Sequence, residues 1–296
     1  MHVNDVEIED TFAEAFDMWG ARLIVTAAND RWARIAGENA TGFATSVIAC
    51  GAEAGIEGTI PALETPDGRP GISLLVFTMG PKGMKKQLMN RVGQSIMTCA
   101  TTACFDGLGE GEKALTIGGT LRYFGDGYQI SKLLEGRRLW RIPVMEGEFV
   151  VDETFHIKRS VGGGNFLILG VDQASALRAA ETAVEAIAQV DGVVTPFPGG
   201  VVRSGSKTWS KYDFLRASTN SAYCPMLRGQ VDSALPREVN SVLEIVIDGL
   251  SEEAVGEAIA VGVHAACQPG VVRISAGNYG GTLGSHQFHL HELMGA

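Results

Sequence analysis

The sequence predicts an α+β protein of two tightly packed lobes, each a mainly antiparallel sheet flanked by helices. Three observations carry this. The order strand, helix, glycine loop, strand, helix, strand occurs twice, in different residues each time. The chain is 296 residues long, enough for one large core or two fused ones. The boundary between the two rounds falls near Phe149–Gly162, giving lobes of 1–150 and 151–296.

In the first round, the short apolar run Ala21–Ala28 reads as a buried strand. Asp30 is placed to cap a helix reaching about Asn39. Thr41–Gly58 reads as loop with short strand pieces, and Glu64–Gly71 (ETPDGRPG) as a turn closed by Pro70. Ile72–Met79 is the second strand. Met84, Leu88, Val92, Ile96 and Cys99 then recur at about every fourth residue, forming one apolar helix face. Leu121–Gly125 and Leu139–Val144 read as a strand pair. In the second round, Gly164–Gly170 is a strand, followed by a helix with Leu177, Ala180, Val184 and Ile187 on its buried face. Thr195–Lys207 is a glycine- and serine-containing loop, and Val242–Ile247 a strand. Ser251 caps the next helix, whose apolar face is Val255, Ile259 and Val263, and Val271–Ser275 is the last central strand.

Composition excludes several classes. With 45% hydrophobic and 20% charged residues, the chain has enough apolar surface to fold. No apolar run is long enough to span a membrane. A net charge of −10 argues against nucleic acid as a partner. The five cysteines are odd in number and show no CxxC spacing, which argues against disulfides and structural zinc and suits the reducing cytoplasm. The N-terminus shows no basic-then-apolar leader. Thirty-eight residues are glycine, nearly twice the ordinary share of about 7%.

Three glycine segments stand out: Val161–Asn165, Pro196–Gly200 and Gly277–Gly281. Two readings fit each. Their N–H groups form an anion nest or oxyanion hole, or they make tight turns and close lobe packing. None is a P-loop, and none is a dinucleotide fingerprint. His286, His289 and His291 read as a terminal strand rather than a metal site, because no further ligand set accompanies them. Cys99 and Cys104 read as small buried hydrophobes, with no base nearby in the sequence. Arg203, Ser204, Ser206, Lys207 and Lys211 follow the second glycine segment and suit a phosphate or carboxylate. Glu244 sits inside the apolar run Val242–Ile247, where alternation puts Val242, Glu244 and Val246 on one face. A desolvated carboxyl there suits general acid/base work; a salt bridge to a residue such as Arg22, or an exposed position, are the competing readings.

Taken together the segments resemble the formylmethanofuran:tetrahydromethanopterin formyltransferases along essentially the whole chain. The resemblance is carried by residues 6–16, Ala40–Ile48, Glu53–Glu57, Glu64–Gly71, Gly162–Phe166, Thr195–Gly200 and Ser275–Gly281. Arg203 and the residues 241–250 look like the bacterial branch. The resemblance implies two ferredoxin-like α/β-sandwich lobes and a homodimer or homotetramer, in bacteria working within a formyltransferase/hydrolase complex. It implies reversible formyl transfer between methanofuran, or a related furfurylamine carrier, and N5 of tetrahydromethanopterin. Both carriers are co-substrates, with no metal and no tightly bound cofactor. Glu244 matches the family's acid/base glutamate. Thr102, Asn165 and Asn278 are expected to border the reacting carbon, with backbone of Gly199, Gly200 and Gly280, and Arg203, Ser206 and Lys207 to hold anionic tails. A non-catalytic subunit of such a complex, or a formylmethanofuran hydrolase, are the alternatives.

Overall fold

The computed structural model describes residues 1–134 and 136–295. Strand β1 (Val6–Ile8) precedes β2, which runs from Phe12 to Thr26, far longer than its apolar centre alone predicts. Helix α1 (Asp30–Thr41) is capped by Asn29, whose side chain accepts the Trp32 N–H; Asp30, the expected cap, lies one residue inside, where its charge favours the helix dipole. Strands β3 (Glu53–Ile60) and β4 (Gly71–Thr78) pair antiparallel around the expected turn, and every residue of β4 is buried. Helix α2 (Pro81–Arg91) continues through one π turn, Val92–Ile96. Met84, Leu88, Val92 and Ile96 are all fully buried, as the fourfold spacing predicts.

Leu121–Gly125 is not a strand but the end of a helical turn that starts at Gly118. A Cβ on Gly118 would stand 2.1 Å from the Asp152 carbonyl oxygen, and the Gly119 N–H bonds to Glu153 O. This docking on backbone overrides the short apolar run. The sheet continues with β5 (Ala103–Asp106) and the hairpin β6 (Arg137–Val144) and β7 (Gly147–Asp152).

Strand β8 covers Thr154–Gly170. Helix α3 (Gln173–Ile187) buries Ala176, Ala179, Ala180, Ala183 and Ile187, so it lies close to the sheet on small residues; Leu177, expected inside, is 47% exposed. Strand β9 (Ser241–Gly249) pairs antiparallel with β8. Ser251 caps α4 (Glu252–Ala266), accepting the Ala254 N–H, and Val255, Ile259 and Val263 face inward. Strand β10 (Val271–Ser275) takes the other edge of β8 and runs parallel to β1. Strand β11 (His286–His289) returns to pair with β2, Phe288 opposite Ala13.

The ladder is mainly antiparallel and hydrogen-bonded from one lobe into the other through β2 and β8, with Gly162 opposite Phe16 and Lys158 opposite Gly20. There are two main cores. One gathers Trp19–Val25, α1, α2, β4 and Phe155–Ile157. The other gathers Val6, Ile8, Ala13, Ala15 and the residues from Val161 onward under α3 and α4. Both long strands therefore leave one core and enter the other. The change-over on β8 is a register shift between Val161 and Gly164. Gly163 sits there at φ +86°, and a Cβ on Gly162 would meet Met18 Sδ at 2.0 Å.

Candidate active site

A cleft of about 530 Å³ opens where the lobes meet, within the range of small-molecule sites. Its floor is the face of the second-lobe sheet that the helices leave bare. Alternation sends Phe166, Ile168, Ile245 and Ile247 into the core, and turns Asn165, Leu167, Glu244 and Val246 into the cleft. Leu167 is directly opposite Glu244 on one side and Ser275 on the other, so these three form a row across β9, β8 and β10. The walls come from Thr45–Ile48 and Met79 of the first lobe, and from Phe197, Ser206, Lys207, Asn220 and Tyr223 of the second.

The Glu244 carboxyl makes no hydrogen bond or ion pair among the described residues. Burial pushes its pKa up to about 7. The competing reading, a pair with Arg22, does not occur: Arg22 is held by Glu57, its Nε 2.8 Å from Oε2. Both backbone groups of Glu244 are satisfied by Val202, which pairs with it on the edge of β9 away from β8. Tyr279 borders the same space. Its hydroxyl has no acceptor among the described residues, and burial, then the charges of Glu244 and Glu14, raise its pKa. Tyr223 is raised by burial too, and its hydroxyl meets Ser275 Oγ at 3.2 Å.

The side chains of the two expected asparagines line the cleft but are fully engaged in building it. Asn165 Nδ2 donates to the carbonyls of Gly163 and Gly277, and Oδ1 accepts the Gly277 N–H at 2.6 Å. Asn278 Nδ2 donates to Thr11 Oγ1 and Phe12 O, and its Oδ1 accepts from Gly280, which lies just outside. Gly199 and Gly200 do not line the cleft; with φ +63° and +78° they turn the chain so that Val202 reaches Glu244. Ser206 and Lys207 face the cleft, the Lys207 ammonium donating to Ser221 Oγ at 2.6 Å. Lys211 lines an adjoining groove with Trp209 and Tyr212. Arg203 is exposed and apart from it, and Thr102 is buried with its hydroxyl on Ile96 O and Cys99 O.

Sequence reasoning missed Glu14. It is 1% exposed on β2, and its carboxylate accepts four N–H groups: Tyr279 and Gly281 on one oxygen, Leu283 and Gly284 on the other. Burial raises its pKa, but the four donors outweigh that and hold it below the usual carboxylate value. The string Phe12–Phe16 carried the same signal as Glu244, a carboxylate among apolar strand residues. The three clustered histidines separate: His286 lies between Asp17 and Glu252, His289 packs on Phe12, and His291 meets Ile8 O.

Two family models cover the chain: one described as formylmethanofuran-tetrahydromethanopterin formyltransferase over residues 1–144, and one described as the formyltransferase proximal lobe over residues 147–293. The chain belongs to this formyltransferase family. It is 56% identical to the formylmethanofuran–tetrahydromethanopterin formyltransferase of Methylococcus capsulatus, over 99% of this chain and all of that one. Among solved structures it matches the formyltransferase of Methanosarcina barkeri with a TM-score of 0.95 at 49% identity, over 99% and 100% of the two chains. It also matches a chain of the formyltransferase/hydrolase complex of Methylorubrum extorquens, solved with methylofuran, with a TM-score of 0.97 at 52% identity, over 99% and 98%. The two-lobed α+β architecture is thus that of the formyltransferase family. No helix among the described residues is long and apolar enough to cross a membrane.

Proposed function

We propose that this chain transfers a formyl group, reversibly, between the primary amine of a methanofuran-type carrier and N5 of tetrahydromethanopterin, with Glu244 carrying the proton. The observation that supports this most is a carboxyl without a partner among the described residues, raised to about 7 by burial, on the floor of a cleft that both lobes line. An acid/base group is most effective when it titrates near the working pH. The attacking nitrogen adds to the formyl carbon, forming the new C–N bond and moving the carbonyl π pair onto oxygen. Glu244 as carboxylate takes the proton that this nitrogen sheds. Collapse of the oxyanion breaks the old C–N bond, and the departing nitrogen takes the proton back from Glu244. The two carriers are co-substrates, and no enzyme-bound acyl intermediate is needed.

The Tyr279 hydroxyl, without another acceptor among the described residues, is the donor assigned to the oxyanion; such a donor contributes about 3–4 kcal/mol. Asn165 and Asn278 act by fixing the backbone at 163, 277 and 278. Ser206 and Lys207 face the anionic tail of a carrier. Holding both carriers in one cleft supplies the rest by proximity. We further propose that the chain is the formyltransferase part of a complex of the kind found in Methylorubrum extorquens, as a homo-oligomer in the cytoplasm.

The test is an assay of the purified chain with both carriers, following N5-formyl product and free formate together. Product without formate supports transfer. Formate alone means a hydrolase, and inactivity that only a co-purifying subunit restores means a non-catalytic role.

A further inference from the structure

Asp248 stands on the same face of β9 as Glu244 and is fully buried. Its Oδ1 accepts the Gly163 N–H at 2.9 Å, at the point where β8 changes cores. Its Oδ2 is buried and meets no N–H or O–H donor among the described residues. What faces it is the carboxyl of Glu53, from the other lobe. Glu53 Oε1 is in turn occupied by the Val47 N–H at 3.0 Å. Two carboxylate oxygens only accept, so this contact exists only with a proton between them. Among the described residues no cation offsets either group. The residues paired with Asp248 are Val194 and the β8 bulge, and those paired with Glu53 are Phe77 and Thr45, none of them titratable. Burial, and for Asp248 also the neighbouring Glu53 charge, raises both.

The pair links two parts of the cleft. Val47 belongs to the wall Thr45–Ile48, and Gly162–Gly163 to the floor. We propose that Glu53 and Asp248 are positioning residues for formyl transfer: an acid–carboxylate pair, sharing one proton, that sets the spacing between the first-lobe wall and the Gly162–Gly163 bulge. This rests on the cleft being the transfer site. Losing the shared proton would leave two like charges in contact in a low-dielectric interior, and the wall would be pushed away.

An amide can replace the shared proton, which makes the pair testable. In Asp248→Asn, Oδ1 still accepts from Gly163 and Nδ2 donates to Glu53. In Glu53→Gln, Oε1 still accepts from Val47 and Nε2 donates to Asp248. In the double variant two NH₂ groups face each other. Transfer kinetics and thermal midpoints of the full chain should be followed from pH 5 to pH 9. Each single amide should rescue kcat/KM to within about threefold, and the double variant should fall at least tenfold below the product of the singles. A raised carboxyl favours the fold only while protonated, so the wild-type midpoint should drop, relative to both singles, as pH rises above the ordinary carboxylate range.

A double variant that equals the product of the singles overturns the proposal, as do singles as poor as the double. Should the double variant fail to fold, the midpoints decide: a wild type that tracks the singles at every pH overturns it. Glu244→Gln, run alongside, separates the two ideas. Normal turnover there defeats the cleft reading, while the comparison of wild-type midpoints with those of the Glu53 and Asp248 singles stands independently of it.

Discussion

Glu244 and Val202 exchange both backbone hydrogen bonds, N–H to O at 2.9 and 2.8 Å. The carboxyl of Glu244 has no partner among the described residues, so this pairing and the ladder of its neighbours Leu243 and Ile245 to β8 are what hold it over the cleft floor. Its position is rigid while its charge stays uncompensated, the combination a proton carrier needs.

Glu244→Gln should therefore lower kcat several hundred-fold with carrier KM nearly unchanged. Wild-type kcat/KM should rise with pH through about 7, as the carboxylate forms, and this limb should vanish in the variant.

The same substitution should stabilise the protein. A carboxyl whose folded pKa lies above its unfolded value favours folding only while protonated, and that contribution is lost between the ordinary value of 4.5 and about 7. At pH 8 the buried charge opposes folding by about 3 kcal/mol. Chemical denaturation should show Glu244→Gln more stable than wild type at pH 8, with the gap closing at pH 5.

Tyr279→Phe keeps the ring against Phe16, 6.2 Å between centroids, and removes only the hydroxyl. Loss of an oxyanion donor predicts a fall of about 10²-fold or more in kcat with little change in thermal midpoint. A kcat within threefold of wild type would remove Tyr279 from the reaction.

Lys207→Met should raise the KM of one carrier at least tenfold and change kcat by less, because an anionic tail is bound equally in the ground and transition states. Arg203→Met, exposed and off the cleft, should do much less. Steady-state kinetics with each carrier in turn checks both.

Glu14→Gln exchanges one accepting oxygen for an NH₂ that confronts two of the four N–H donors. The expected cost is about 2 kcal/mol or more, together with a raised KM from loosening of Tyr279–Gly284. For wild type the sign with pH is the reverse of Glu244. The depressed pKa of Glu14 favours folding above the ordinary carboxylate value, and that contribution is lost as pH falls through the lowered one.

Strand alternation in Val242–Ile247 was enough to place Glu244 on the face opposite Ile245 and Ile247, and fourfold spacing was enough to place Met84 through Ile96 in the core. These are periodicities that one element dictates alone. The length of β2 and β8 was not legible, because each end is ordered by a different lobe. Leu177 was misplaced because the distance between α3 and the sheet is set by alanines, which a reading weighted to large residues passes over. Thr102 and the Gly199–Gly200 turn carry their hydrogen bonds and dihedrals away from the cleft, and residue type does not report direction. The contacts of Glu14 with 279–284, and of Asp248 with Glu53, join segments far apart in the chain, and no local pattern encodes such a meeting.

The long strands also decide when the enzyme can exist. Phe12–Met18 waits for partners at 160–162 and 286–289, far along the chain from it. A chain growing from its N-terminus can form the first core early. The cleft floor lies on β8, β9 and β10, all of them later in the chain than that core. Activity should therefore follow the ordering of the second lobe, and removing residues 286–296 should leave Phe12–Ala15 as an unpaired, aggregation-prone edge.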